Sequence, residues 1–172
     1  MELFDSSIGA VIGAINGMKG NGLVLYGFNI INDSTALVQT GSSYRTLAVV
    51  DSALTSTNHS ETTCGDIITR IPNTLSFNIP LFFKCVFIIA QLNHESGSDS
   101  IYNRIMLEYG NGASKEIARS ALSSSNRRCQ GVLIGSYSGL APSNESQTNK
   151  LTIQTYGDQQ YFGANVVIGV IL

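Results

Sequence analysis

From residue 23 onward the chain alternates apolar and other residues with a period of two, the pattern of strands whose side chains point to opposite faces. The segment 161–172 is the extreme case. Phe162, Ala164, Val166, Ile168, Val170 and Leu172 fall on one face, and Tyr161, Asn165, Val167 and Ile171 on the other, so both faces are largely apolar. Such a strand belongs in the middle of a sheet or against another subunit. Segment 81–91 reads the same way. Leu81, Phe83, Cys85, Phe87 and Ile89 line one face; Phe82, Val86, Ile88 and Ala90 line the other, with Lys84 the one charge. Two apolar faces need cover on both sides, and a second subunit can supply the outer one.

Further strands are expected at 23–31, 35–39, 44–51, 66–71, 75–79, 101–109, 131–138 and 150–156, divided by turn residues or by Pro72 and Pro80. In 23–31, Val24, Tyr26, Phe28 and Ile30 share a face; in 101–109, Ile105, Leu107 and Tyr109 point inward. Segments 54–65 and 93–100 read as loops, and 113–125 fits a short helix or a strand equally well. Roughly nine or ten short strands at this spacing predict an all-β fold, a single jelly-roll-like antiparallel β-sandwich over 23–172. Residues 1–22 stand apart. Gly9, Gly13 and Gly17 recur every four residues, which suits an N-terminal Gly-rich arm or a short helix, while Asn16 and Lys19 argue against a membrane span.

Composition sharpens the picture of the surface. Charged residues make up 13% of the chain, against roughly 25% in an ordinary soluble domain. Ser, Thr, Asn and Gln fill the gap, which suits sheet faces that lie against neighbours, where an unpaired desolvated charge is costly. A net charge of −2 and a pI near 5.6 argue against nucleic acid as a partner; Arg127 and Arg128 are the one adjacent pair of cations. The apolar runs are too short to cross a bilayer, and Glu2 and Asp5 stand where a secretory leader would carry Lys or Arg. The expectation is a soluble chain made in a host cytoplasm with no membrane partner, which leaves open a virion protein released by lysis.

Little chemistry is written in the motifs. Cys64, Cys85 and Cys129 form no metal-binding spacing; Cys85 reads as a small buried hydrophobe, and a Cys64–Cys129 bridge is one alternative for the other two. Gly135-Ser136-Tyr137-Ser138-Gly139 has Tyr where a nucleophile elbow needs Ser. His59 and His94 sit in polar segments without matched ligands, and the oxygens spaced along 93–99 lack the order of a calcium loop. No catalytic residue, metal or cofactor is expected. Loop side chains remain: Asn93, Glu95 and Asp99, with Tyr137 or Tyr102 to stack on a ring, are the groups a sugar-binding surface uses. Solvated turns use the same residue types.

The ending Asp158-Gln159-Gln160-Tyr161-Phe162-Gly163, followed by apolar residues, resembles the last strand of tumour-necrosis-factor-like and C1q-like jelly rolls. It is also similar to the jelly rolls that cap viral and bacteriophage fibres. The resemblance implies a trimer that buries one sheet face around its axis, with Phe82, Val86, Ile88, Phe162, Val166, Ile168 and Val170 at the interface. The function that follows is a non-enzymatic virion surface protein: a fibre head, decoration or minor capsid subunit. Its partners would be its own copies, other virion proteins and a host receptor or glycan. The alternative is a carbohydrate-binding module whose loops bind the ligand.

Overall fold

The computed structural model of the chain describes residues 23–30, 37–39, 43–49, 59–63, 68–80, 83–96, 101–109, 112–122, 128–138, 149–157 and 159–172. The arm expected over 1–22, Cys64 of the considered bridge, Phe82 and Asp99 all lie outside them. In chain order the strands begin with β1 (Leu23–Ile30), β2 (Leu37–Gln39), β3 (Arg45–Thr46), β4 (Ala48–Val49), β5 (His59–Thr63), β6 (Thr69–Arg70) and β7 (Ser76–Ile79). They continue with β8 (Cys85–Ser96), β9 (Ile101–Glu108), β10 (Ser114–Leu122), β11 (Arg128–Ser138), β12 (Asn149–Tyr156) and β13 (Gln159–Ile171).

These strands form two antiparallel sheets stacked as a jelly-roll sandwich. The first runs β11-β8-β13-β1-β5, with β2 beside β13 and β4 beside β2; the second runs β10-β9-β12-β7-β6, with β3 beside β12. As its two apolar faces required, β13 lies at the centre of the first sheet, paired with β1 from Leu23↔Ile171 to Ile30↔Ala164 and with β8 along its other edge. The chain changes sheets at Leu47. Its amide donates to the Ile153 carbonyl at 3.0 Å, its carbonyl accepts from the Leu75 amide at 2.9 Å, and its side chain is fully buried at this corner.

Alternate residues of the two inner faces interdigitate to make the core. Val24, Tyr26, Phe28, Val86, Ile88, Leu92, Val166 and Ile168 come from the first sheet; Phe77, Ile105, Leu107, Leu151 and Ile153 come from the second. The Phe77 ring sits at its centre, 5.3 Å from Tyr26 and 6.3 Å from Phe28 between centroids.

Two segments differ from the sequence expectation, and a third is decided between its two readings. The polar stretch 54–65 contains β5, an edge strand paired with β1, where period-two apolarity is not required. Strand β8 runs on to Ser96, through the first part of the expected 93–100 loop, because β11 and β13 flank it on both sides. Within segment 113–125, which fits a helix or a strand in sequence, Ser114–Leu122 is a strand. Its ambiguity has a physical source: the register shifts between Glu116 and Ala118, and this β-bulge lets both Ile117 and Ala118 pack on the core.

Candidate assembly interface

The outer face of the first sheet is as unusual as its inner one. The register of β1, β13, β8 and β11 places side chains in rows across it. One row is Leu23–Ile171–Cys85–Ser138, the next Leu25–Gly169–Phe87–Ser136, the next Gly27–Val167–Ile89–Ile134, and the last Asn29–Asn165–Gln91–Val132. No Asp, Glu, Lys or Arg occurs among these positions. At one end the face is already sealed: Leu23 and Leu25 are buried against Phe87 and Ile171. The Phe87 ring lies flat across Gly169, where an added Cβ would stand 2.1 Å from Phe87 Cζ, so glycine is required for this close approach. At the β11 side the face is open, with Val132 42% and Ile134 72% exposed.

Polar groups at the end of the rows are left short of partners. Asn165 Nδ2 donates to Gln91 Oε1 at 3.3 Å. Asn29 Oδ1 and, one step further along β8, Asn93 Oδ1 are buried and accept no hydrogen bond among the described residues. A buried, unsatisfied acceptor costs about 1–3 kcal/mol, a deficit that donors from a neighbouring surface can remove. The half-buried Cys85, which carries a free thiol, stands on this outer face and not in the core.

Five of the residues expected at an interface point into the core. Val86, Ile88, Val166, Ile168 and Val170 are at most 1% exposed in a single protomer, because they face the second sheet. Both faces of these strands are apolar, so alternation alone could not say which face points inward. The side chain of Phe162 is outside the described set. The outer face carries the intervening residues Phe87, Ile89 and Val167, with Val132 and Ile134 of β11.

Of the expected ligand residues, Asn93 and Tyr137 stand well apart. Asn93 is in a strand, between Gly163 of β13 and Gln130 of β11, on the outer face. Glu95 is also in β8, opposite Arg128 and Gln160. Tyr137 pairs with Val86, about 23 Å along β8 from Asn93 at roughly 3.3 Å per residue, and packs on the core face. Its ring meets Phe83 at 6.3 Å and Tyr109 at 6.1 Å, with Lys115 Nζ 4.7 Å from its centroid. Burial, helped by a hydrogen bond with Tyr137, pushes the Tyr109 phenol up to about 12. Tyr137 is thus a half-buried member of an aromatic plug, not an open stacking platform.

The second sheet presents a different outer face. Lys150 pairs with Glu108 at 2.8 Å, and Glu116 takes two hydrogen bonds of 2.8 Å from Arg119, which hold its carboxyl below the usual carboxylate range. Among the described residues, no group of three His, Cys, Asp or Glu side chains could hold a metal ion, and no helix is long and apolar enough to cross a membrane.

No protein-family profile and no curated protein sequence matches the chain. Its fold does match solved structures. Murine APRIL superposes with a TM-score of 0.57 at 9% identity, covering 87% of this chain and 99% of that one. The vertex protein P5 of PRD1 superposes with a TM-score of 0.52 at 9% identity, covering 89% of this chain and 99% of that one. The architecture is therefore the jelly roll shared by these tumour-necrosis-factor-like and phage proteins, as the C-terminal residues suggested.

Proposed function

We propose that this chain is a non-enzymatic structural protein of a virion surface, which assembles as a homotrimer through the outer face of the first sheet. The carrying observation is that face itself: uncharged in every row, rich in large apolar side chains, and 72% exposed at Ile134. Monomeric proteins rarely leave such a continuous apolar patch in water. Closure around a three-fold axis would cover it and leave the second sheet and the loops pointing outward.

The virion assignment, as fibre head, decoration or minor capsid subunit, is supported by the fold shared with a phage vertex protein and by the low charge and abundance of Ser, Thr and Asn. Light scattering after size-exclusion chromatography tests the assembly. Three times 18.4 kDa, or 55.2 kDa, is the expected mass, and a stable 18.4 kDa species at tens of micromolar overturns it. Peptides of this chain in purified particles, in stoichiometric copy number, test the location.

A second reading, a carbohydrate-binding protein, is favoured by one specific observation. The exposed Tyr102 stands beside Tyr156, which in turn meets Tyr44, on the outer face of the second sheet. The two readings use opposite faces of the sandwich and are compatible in one molecule.

A further inference from the structure

The outer face of the second sheet gathers three tyrosines and two arginines from four separate segments. Tyr156 is the hinge of the aromatic group, with its ring centroid 5.7 Å from Tyr44 and 5.9 Å from Tyr102. The rings are inclined to one another by 52° and 67°, so they form a faceted wall and not a closed stack. Tyr102 is the open facet, 37% exposed. Arg104 lies over Tyr44, with Cζ 3.8 Å from the ring centroid, and its Nε donates to Gln154 Oε1 at 2.8 Å. Arg119 Cζ stands 5.9 Å from the same ring.

Charge decides what this wall attracts. Glu116 Oε1 accepts from Arg119 Nε and Oε2 from Arg119 Nη2, both at 2.8 Å, and Oε2 is 3.7 Å from Arg104 Nη1. Its carboxyl is held ionised by the hydrogen bonds from Arg119, so two guanidiniums against one carboxylate leave the group with a net positive charge in a chain whose overall charge is −2. The fork with Glu116 also fixes the Arg119 guanidinium in one plane. It uses two of the five N–H donors that an arginine carries. The Arg119 side chain remains 54% exposed.

A rigid aromatic facet beside an oriented, partly unused guanidinium suits one class of ligand. The apolar C–H face of a pyranose ring lies on tyrosine, and a carboxylate on that sugar takes paired N–H donors from arginine. Neutral sugars would leave the guanidinium unanswered, and a simple anion would leave the tyrosines bare. We infer that the Tyr44–Tyr102–Tyr156 wall, with Arg119 and Arg104, is a binding site for a carboxylate-bearing sugar at a glycan terminus. This refines the sugar-binding reading above, and it does not depend on the trimer, because the site is on the opposite side of the sandwich from the proposed interface.

The test is titration of the intact protein, by calorimetry and ligand-observed NMR, with sialyllactose, a glucuronic-acid-terminated oligosaccharide and lactose. Tyr102→Ala and Arg119→Ala variants are titrated in parallel. The expected result is binding of one or both acidic sugars and not of lactose, weakened by roughly tenfold to a hundredfold in Arg119→Ala. Tyr102→Ala should weaken the same ligand, and added salt should weaken wild-type binding. Binding of lactose that is lost in Tyr102→Ala and unchanged in Arg119→Ala overturns the acidic class while sparing the sugar-binding reading. Absence of binding by all three sugars, with both variants folded or merely less stable, overturns both and makes the wall a structural staple. Circular dichroism and light scattering on each variant separate a binding defect from a folding one.

Discussion

Replacing Ile134 by Asp should dissolve the assembly and leave the protomer folded. Ile134 is 72% exposed in the isolated chain, so the substitution removes almost no intramolecular packing. Surface changes of this kind usually alter stability by about 0.5 kcal/mol or less. In the proposed trimer the same side chain is covered. Full burial of an isoleucine is worth about 1.5–3 kcal/mol, and the exposed share gives about 1–2 kcal/mol per copy. A carboxylate in its place adds a desolvation penalty of several kcal/mol per ion, since the rows around it offer no cation. The combined loss is at least about 3 kcal/mol per copy, roughly a hundredfold in association for each of the three copies. Light scattering at tens of micromolar should then report 18.4 kDa in place of 55.2 kDa, three times the chain mass, with a thermal melt of monomer character still cooperative. Val86→Asp is the control that must behave differently: its carboxylate would enter the core, where Val86 is fully buried, and should unfold the protomer itself. An Ile134→Asp protein that stays at the trimer mass would refute the assignment of this face, and an unfolded one would refute the placement of Ile134 outside the core.

Three further outcomes follow from the same geometry. Gly169→Ala should destabilise the chain by about 1–3 kcal/mol in chemical denaturation, because the new Cβ meets the Phe87 ring; an unchanged midpoint, or no partial recovery in the Phe87→Ala double variant, would count against the close approach. Cys85 should react slowly with a thiol reagent in the wild type and quickly in the Ile134→Asp monomer, read by peptide mass mapping; equal rates would mean that assembly leaves this end of the face open. Alkaline stability is the third. The Tyr109 phenol is raised from an ordinary 10.0 to about 12 in the folded chain, so between those values the unfolded chain loses its proton first and stability falls as pH rises. Tyr109→Phe should flatten that decline in pH-dependent denaturation, and a decline equally steep in the variant would assign it to other groups.

The fold was largely legible in the chain because sandwich strands advertise themselves by period. The doubly apolar 161–172 segment pointed to a central strand, and Ile105, Leu107 and Tyr109 pointed inward as expected. The features that hid were those that break or do not need the period. The bulge at Glu116/Ala118 blurred β10, and the edge position of β5 removed the demand for apolar residues in 59–63. The site was less legible. Alternation divides β8 and β13 into two faces without saying which is inner, so the expected interface falls on Val86, Ile88, Val166, Ile168 and Val170, which are core residues, while Phe87, Ile89 and Val167 face outward. In 131–138, the glycines at 131 and 135 share the inner face with Leu133, which leaves the larger Val132 and Ile134 outward; that unequal division was a signal in the sequence. Tyr44, Tyr102 and Tyr156 meet only through strand pairing, with β9 against β12, and no local motif announces them.

The central position of β13 also governs when the protein can fold during its synthesis. Residues 159–171 supply the strand that joins β8 to β1, so a nascent chain that has emerged only as far as β12 holds two half-sheets with their mutual partner still inside the ribosome. Until then Val24, Tyr26 and Phe28 have no neighbour on the β13 edge, and the edges of β1 and β8 are open to pairing with other nascent chains. Translation that stalls or stops before Gln159 should therefore yield an aggregating fragment and not a smaller folded one. A chain of this design cannot complete its first sheet before β13 has emerged, and its cellular yield should depend on holding chaperones up to that point.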